Sequence, residues 1–340
     1  MTSALPIDTG DILADPFGER SARGRSIERW ILGARFRFHS ASDALLALVD
    51  AAYAGLPDHV LGITSSTLAI ELRLSPHRSG WDGAEPPPVR MQSGAGLLGG
   101  VVDASNYVVM SPDDGRALIV VSEDMLAFPY NLRYELIEFA VFTLATRVQQ
   151  LIPLHGAGLG RHGRGVLIMG NSGAGKSTLA LRGVLEGLEF LAEDAVFVDP
   201  RSLRASGVAN YLHVCADGLA WVDEERHRRW LGESPTIRRR SGVEKHEVDV
   251  RHGMACLAPA PVELAGLVFL SAPPAGENGA RLRMLDTSEA VARLTVEQPY
   301  AAGQAQWGHF TEGVASLRAY ELVRGHHPAE SIKALLSLLG

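Results

Sequence analysis

Polar and apolar residues alternate along Arg35-Phe36-Arg37-Phe38 and again along Leu68-Ala69-Ile70-Glu71-Leu72-Arg73-Leu74. This period of two belongs to strands with one face buried. Between them Ser42-Asp43 caps a predicted helix over residues 44–54, with Leu45, Leu48 and Val49 on its apolar stripe. Residues 107–110 and 117–121 read as two more strands, separated by the turn Ser111-Pro112-Asp113-Asp114-Gly115. The Pro-, Gly- and charge-rich stretch 75–88 reads as a loop, and the glycine-dense stretch 94–100 as a flexible loop or strand bend. Residues 30–127 therefore predict a small α+β domain. A flexible terminus, residues 1–29, precedes it, where Pro6, Pro16, Arg20, Arg23 and Arg25 mark solvated chain.

From residue 129 the period lengthens. Leu136, Ala140, Leu144 and Val148 recur every four residues, with Ile137 and Val141 widening the stripe, so a long helix is predicted to about residue 151. It opens a second domain, residues 128–340. Residues 154–160 and 165–169 flank the turn-like Arg161-His162-Gly163-Arg164 and predict an antiparallel hairpin. Residues 188–192 and 195–198 are short apolar strands interrupted by Glu193-Asp194. Further on come a polar surface helix over 221–231, a buried strand over 262–270, a late strand over 317–323 and a closing amphipathic helix over 329–339.

The hairpin leads into Gly170-Asn171-Ser172-Gly173-Ala174-Gly175-Lys176-Ser177, which satisfies the pattern Gly-x-x-x-x-Gly-Lys-Ser/Thr. Its glycines let main-chain N–H groups turn inward around phosphate oxygens. The helix that starts near Lys176 and continues through Thr178 adds its positive end. Lys176 is placed to reach the β- and γ-phosphates of ATP, and Ser177 to ligate Mg²⁺. Lys176 is one of only three lysines, with Lys245 and Lys333, while the other basic residues are arginine. Arg238-Arg239-Arg240, Ser241-Gly242 and Lys245-His246 form a basic stretch able to close over phosphates, and Lys245 is its strongest nucleotide-binding member.

Composition narrows the classes. A chain of 340 residues with 46% hydrophobic content holds ample core. A net charge of −7 argues against a general nucleic-acid-binding surface. Cys215 and Cys256 belong to no Cys-x-x-Cys pair and read as buried free thiols. No signal peptide and no membrane-length apolar run is evident, so no membrane partner and a cytoplasmic location are expected.

Four separated features agree with one family: His155-Gly156 ahead of the loop, the loop with its inner Ser172-Gly173, the hairpin, and the apolar strand ending in Ala192-Glu193-Asp194. Over residues 152–200 the chain resembles the catalytic domain of HPr kinase/phosphorylase, and its divergent relatives that phosphorylate serine in ribosomal peptide precursors, lasso-peptide precursors among them. The resemblance implies an α/β fold: a P-loop kinase domain of the HPr kinase/PEP carboxykinase-like type, with a mixed sheet, beside the smaller N-terminal domain. It implies ATP- and Mg²⁺-dependent phosphorylation of a serine hydroxyl on a peptide or small protein, and assembly as a homo-oligomer.

By the same resemblance His155 contacts the region of the transferring phosphate, and Glu193 and Asp194 stand at the family's acidic pair. Either acid can act as base toward the acceptor, and Asp194 can orient Mg²⁺ together with Ser177. The family's later Glu-x-Arg-Gly signature is absent here, which leaves the reverse phosphorylase reaction and the second Mg²⁺ ligand without residues, Asp199 being a weak candidate. Two other readings of the residues stay open: a small-molecule hydroxyl kinase, and a nucleotide-binding regulatory module without phosphotransfer.

Overall fold

In a computed structural model, which describes residues 24–61, 67–78, 82–253, 255–271 and 279–340, the alternating segments of the N-terminal part pair into one seven-stranded sheet. Its strands are β1 (Arg25–Ile31), β2 (Ala34–Ser40), β3 (Thr67–Ser75), β4 (Arg90–Gly94), β5 (Leu97–Asp103), β6 (Asn106–Ser111) and β7 (Arg116–Ser122). The spatial order is β1-β2-β3-β7-β6-β5-β4, with β2, β3 and β7 mutually parallel and the other pairs antiparallel. The alternation of the sequence is the alternation of the sheet: Phe36, Phe38, Leu68, Ile70 and Leu72 are all buried. Helix α1 (Asp43–Tyr53) packs beside β1 and β2, and the Ser42 side chain accepts a hydrogen bond from the Leu45 amide at its start.

Two expectations are corrected here. Residues 25–29, expected within a flexible terminus, belong to β1, which pairs residue by residue with β2 from Arg25↔Ser40 to Ile31↔Ala34. An edge strand with one solvated face carries arginines without leaving the sheet, so its composition mimics loose chain. The rest of that expectation, residues 1–23, lies outside the described residues. The stretch 94–100 is the β4–β5 hairpin rather than a loop. Ala95 and Gly96 both take positive φ, 50° and 77°, as a two-residue hairpin turn requires.

A helical segment starts at Pro129–Asn131, passes through a π-helical stretch, Leu132–Ile137, and continues as α2 (Glu138–Gln149). Leu136, Ala140 and Leu144 are buried, as their spacing predicts, but in the core of the N-terminal sheet with Phe36, Phe38, Leu68 and Ile70; the helix expected to open the second domain and pack on it belongs by its apolar stripe to the first. Tyr130, Tyr134, Glu138, Phe142 and Thr146 form a second row at the same spacing on another side, where they line a cavity.

The larger sheet, ten-stranded, contains β8 (Ile152–His155), β9 (Ala157–Arg161), β10 (Arg164–Met169), β11 (Glu189–Ala192), β12 (Ala195–Val198), β13 (Arg204–Gly207), β17 (Cys256–Leu257), β18 (Val262–Leu270), β19 (Arg281–Leu285) and β20 (Arg318–Val323). β9 and β10 form the hairpin, with His162 and Gly163 at φ 52° and 78°. Parallel pairing of β10, β18 and β20 makes the sheet mixed. β8 pairs with β12 at Ala195↔His155, β9 pairs with β11 at Ala192↔Gly158, and the Gly156 amide donates to the Asp194 carbonyl at 3.1 Å. Two antiparallel pairings thus flank His155-Gly156 and Glu193-Asp194, and the Gly156–Asp194 bond between them fixes the two dipeptides side by side.

Helix α3 (Lys176–Leu185) follows β10. A three-stranded sheet, β14 (Tyr211–Val214), β16 (Glu244–Asp249) and β15 (Thr236–Arg238), flanks the site, with α4 (Glu225–Gly232) against it. The remaining helices are α5 (Thr287–Glu297), α6 (Pro299–Ala302), α7 (Trp307–Val314) and α8 (Pro328–Leu339). The single helix expected over 221–231 is a 3-10 turn, Ala216–Trp221, followed by α4. The thiols expected to be buried are not: Cys215 is half-buried and Cys256 exposed. Among the described residues no helix is long and apolar enough to cross a membrane.

The N-terminal unit is joined to the three-stranded sheet by polar contacts that complete a helix end. The last carbonyls of α1 lack partners within the helix. Asn210 donates to Ala52 O at 3.0 Å, Tyr211 to Ala51 O at 2.8 Å, and Arg251 to Ala51 O and Ala54 O, both at 2.8 Å. Arg133, in the π-helical stretch, pairs with Glu247 of β16 in a buried contact. These bonds hold α1 and the α2 segment against β14 and β16, next to the acidic pair.

Candidate functional site

The loop between β10 and α3 has the backbone its glycines permit. Gly173 and Gly175 take φ values of 77° and 99°, and Gly175 is the residue from which α3 starts. The Lys176 ammonium bends back to donate to Gly170 O at 2.7 Å and Asn171 O at 3.3 Å, closing the ring of the loop. Only 8% of Lys176 is exposed. Burial lowers its pKa, although the carboxylates of Asp194 and Glu193 pull the other way. A compact cation with no carboxylate in direct contact, ringed by turned-in backbone, suits a phosphate group.

Glu193 lies at the centre of the site and is 6% exposed. Its Oε1 accepts from Ser177 Oγ at 2.5 Å, and Lys245 Nζ lies 3.9 Å from the same oxygen. Its Oε2 accepts from the His213 amide at 2.7 Å and from His213 Nδ1 at 2.8 Å. Burial alone would raise the carboxyl pKa. The bonds from His213 and Ser177 and the positive charges outweigh it and bring the pKa down to about 2.

His213 is itself held between acids. Burial would lower its pKa, but Glu193 and Glu247 raise it. As imidazolium both ring nitrogens donate. Nε2 is 2.9 Å from the Tyr134 oxygen, whose hydroxyl in turn donates to Glu247 Oε1 at 2.9 Å, and Arg133 completes the row on Glu247. A buried line Arg133–Glu247–Tyr134–His213–Glu193–Ser177 therefore runs from the α2 segment to the phosphate loop.

Asp194 points the other way. Its side chain is 53% exposed; His155 Nδ1 is 3.2 Å from Oδ1 and Arg239 3.8 Å from Oδ2. His155 is fixed through its backbone, since Gln298 accepts from its amide at 2.7 Å and donates to its carbonyl at 3.0 Å.

Two cavities meet at these residues. One, about 470 Å³, is lined by Ser172, Gly173, Gly175, Lys176, Ser177 and Thr178 of the loop region and by Lys245. The other, about 720 Å³ and mainly apolar, lies between the α2 segment, β12 and α6. His155, Glu193, Asp194, His213 and Arg239 border both.

The structure thus brings together every residue singled out in the sequence around the loop: His155, Gly170, Asn171, Ser172, Gly173, Ala174, Gly175, Lys176, Ser177, Thr178, Glu193, Asp194 and Lys245. Three details differ. Lys245 sits in strand β16 rather than in a mobile basic loop, because the turn of that hairpin is confined to Arg239–Val243. The acid in contact with Ser177 is Glu193, not Asp194: in the bend between β11 and β12 the Glu193 side chain is buried and held by His213, while that of Asp194 is exposed. Asp199 caps its own turn, accepting from Ser202 Oγ at 2.7 Å, and borders neither cavity. Sequence reading missed His213, Glu247, Tyr134 and Gln298, which lie far along the chain and carry no motif.

A pair of hard oxygen donors, Ser177 Oγ and an ionised Glu193, at the mouth of a phosphate loop fits Mg²⁺, which keeps most of its waters and takes few protein ligands. Among the described residues no group of three or more His, Cys, Asp or Glu residues forms a protein-only metal cage.

No family model matches the chain, and no curated protein matches it. Among solved structures, that of the Hpr(Ser) kinase/phosphatase from Coxiella burnetii is similar over 54% of this chain and 93% of its own, with 14% identity and a TM-score of 0.26. A likeness of that size assigns no function.

Proposed function

We propose that the protein is a kinase that transfers the γ-phosphoryl group of ATP to an alcohol. The observation that carries this reading is the meeting of a phosphate-loop cavity and an apolar cavity at His155, Glu193 and Asp194. The loop amides and Lys176 hold the triphosphate. Ser177 and Glu193 hold Mg²⁺, directly or through its water; when bound, this ion neutralises charge on the phosphate oxygens. Glu193 suits this task because His213, Ser177 and Lys245 hold its carboxyl well below the usual carboxylate range.

Asp194 is the base. Exposed where the two cavities meet, it accepts the acceptor's hydroxyl proton as that oxygen bonds to the γ-phosphorus and the bond to the β-phosphate oxygen breaks, releasing ADP. His155 and Arg239 flank Asp194 and fix its carboxylate. Lys245 adds positive charge on the nucleotide side. The acceptor's hydroxyl would enter from the second cavity; a serine of a peptide or small protein is the acceptor the sequence resemblance implied.

Titration of the protein with ATP and Mg²⁺, followed by mass spectrometry of candidate alcohols and serine peptides after incubation, tests the reading. Tight nucleotide binding that Lys176→Ala weakens, with an acceptor gaining a phosphate, is expected. A wild-type chain that binds no nucleoside triphosphate would end it.

A further inference from the structure

The apolar cavity has a volume and a lining that constrain the acceptor. At about 720 Å³ it falls inside the range of roughly 300–1,000 Å³ typical of small-molecule sites. Tyr130, Phe139 and Phe142 come from the α2 segment, Leu154 and Phe197 from β8 and β12, and Ala301 from α6, so hydrocarbon faces the occupant from three directions. Phe142 and Phe197 pack edge to face, with centroids 4.8 Å apart, which gives the wall a fixed shape. A peptide entering here would need partners for its N–H and C=O groups, and the wall's amides and phenols are already engaged: Asn210 with Ala52 and Tyr211, Gln298 with His155, Tyr134 with Glu247 and Tyr211 with Ala51.

We propose that this cavity is the acceptor chamber and that its occupant is a free, uncharged small-molecule alcohol with a mainly hydrocarbon body. The hydroxyl lies at the Asp194–His155 end and the body against the aromatic rings. This rests on the kinase reading and narrows its acceptor, away from peptide serine. Away from the mouth shared with the loop cavity, where His155, Glu193, Asp194, His213 and Arg239 stand, the acids of the wall agree with an uncharged guest. Burial pushes the Glu138 carboxyl up to about 8, so at neutral pH it is a neutral group able to donate one hydrogen bond. Burial raises Glu297 as well.

The test uses the full chain with ATP analogue and Mg²⁺ bound. Binding is measured for 2-phenylethanol, cyclohexylmethanol and geraniol, with glycerol and inositol as polar controls and serine-bearing peptides as the rival class. At least one hydrocarbon alcohol is expected to bind and to accept phosphate from ATP. Ala195→Leu, which adds bulk to the chamber wall, should weaken that alcohol by about tenfold or more, the usual effect of one or a few methylenes in such a pocket. It should leave nucleotide affinity unchanged. If Ala195→Leu lowers the melting temperature, Phe142→Leu is read instead and should shift preference toward bulkier alcohols.

Nucleotide binding without binding of any hydrocarbon alcohol, equal binding of the polar controls, or transfer to a peptide serine instead would overturn the chamber assignment while leaving the kinase reading standing. Absence of nucleotide binding would overturn the kinase reading, and the chamber assignment with it.

Discussion

His213 binds one oxygen of Glu193 twice, through its main-chain amide at 2.7 Å and its ring Nδ1 at 2.8 Å. The acid that faces Ser177 is therefore oriented by a residue 20 positions away in a separate sheet. Replacing the ring while keeping the amide, as in His213→Ala, leaves a buried carboxylate with its main counter-charge gone. Breaking a buried pair in this way costs about 3–5 kcal/mol. Denaturant unfolding of His213→Ala against wild type checks this, and a loss below about 0.5 kcal/mol would mean the pair is far less buried than described.

The same pair sets two edges of stability on the pH axis. Glu193 is depressed from 4.5 to about 2, so its contribution is present above pH 4.5 and is lost as pH falls toward 2. His213 is raised above 6.5, so its contribution is complete below 6.5 and is lost as pH rises through its folded value. Stability from the pair should peak between about pH 4.5 and 6.5. Unfolding free energies at several pH values, wild type minus His213→Ala, should show that hump. A flat difference would refute the charged pairing.

Lys176→Ala removes the ammonium that now spans Gly170 O and Asn171 O. A charge-assisted bond contributes about 1.5–3 kcal/mol. ATP affinity should therefore fall by roughly ten- to a hundredfold or more, as several phosphate oxygens lose one partner. Fluorescence titration with a labelled nucleotide reads this directly, and unchanged affinity would remove Lys176 from phosphate binding.

Asp194→Asn keeps the shape beside His155 but cannot accept a proton. Nucleotide affinity should change little, while phosphate transfer falls by about 10²–10⁴, the usual worth of a positioned base. Glu193→Gln should differ in kind: it disturbs Ser177, so the Mg²⁺ dependence of nucleotide binding should weaken too. Comparable activity of Asp194→Asn and wild type in a transfer assay would return the base role to Glu193.

The legible part of the site was the part written in contiguous chemistry. Glycines at residues 170, 173 and 175, followed by Lys176 and Ser177, dictate a loop wherever they follow a strand. Alternation exposed β2 and β3 because one face of each is buried. His213 was not legible because a histidine in a short strand looks the same whether it faces solvent or a carboxylate; only the pairing of β14 with β16 and the crossing of β11 into β12 bring it to Glu193. The second row on the α2 segment was equally hidden. Its five members mix Tyr, Glu, Phe and Thr, so no apolar stripe announced it, whereas Leu136, Ala140 and Leu144 did.

Glu138 belongs to that hidden row and gives a prediction of opposite sign. Burial raises its pKa from 4.5 to about 8. Unfolded, the carboxyl ionises near 4.5; folded, it holds its proton until about pH 8. The folded chain thus binds more protons between these values, and stability falls as pH rises through that window. Glu138→Gln replaces the protonated acid with a neutral group of the same shape. At pH 4 the variant should match wild type within about 0.5 kcal/mol. Its advantage should then grow with pH, reaching a few kcal/mol near pH 8, since a tenfold difference in proton affinity between the folded and unfolded chain is worth about 1.4 kcal/mol. Unfolding curves for both proteins from pH 4 to 8 decide the matter. Parallel pH profiles would show that Glu138 is ionised and solvated in the chamber wall, and with it the hydrocarbon character assigned to that wall would fall.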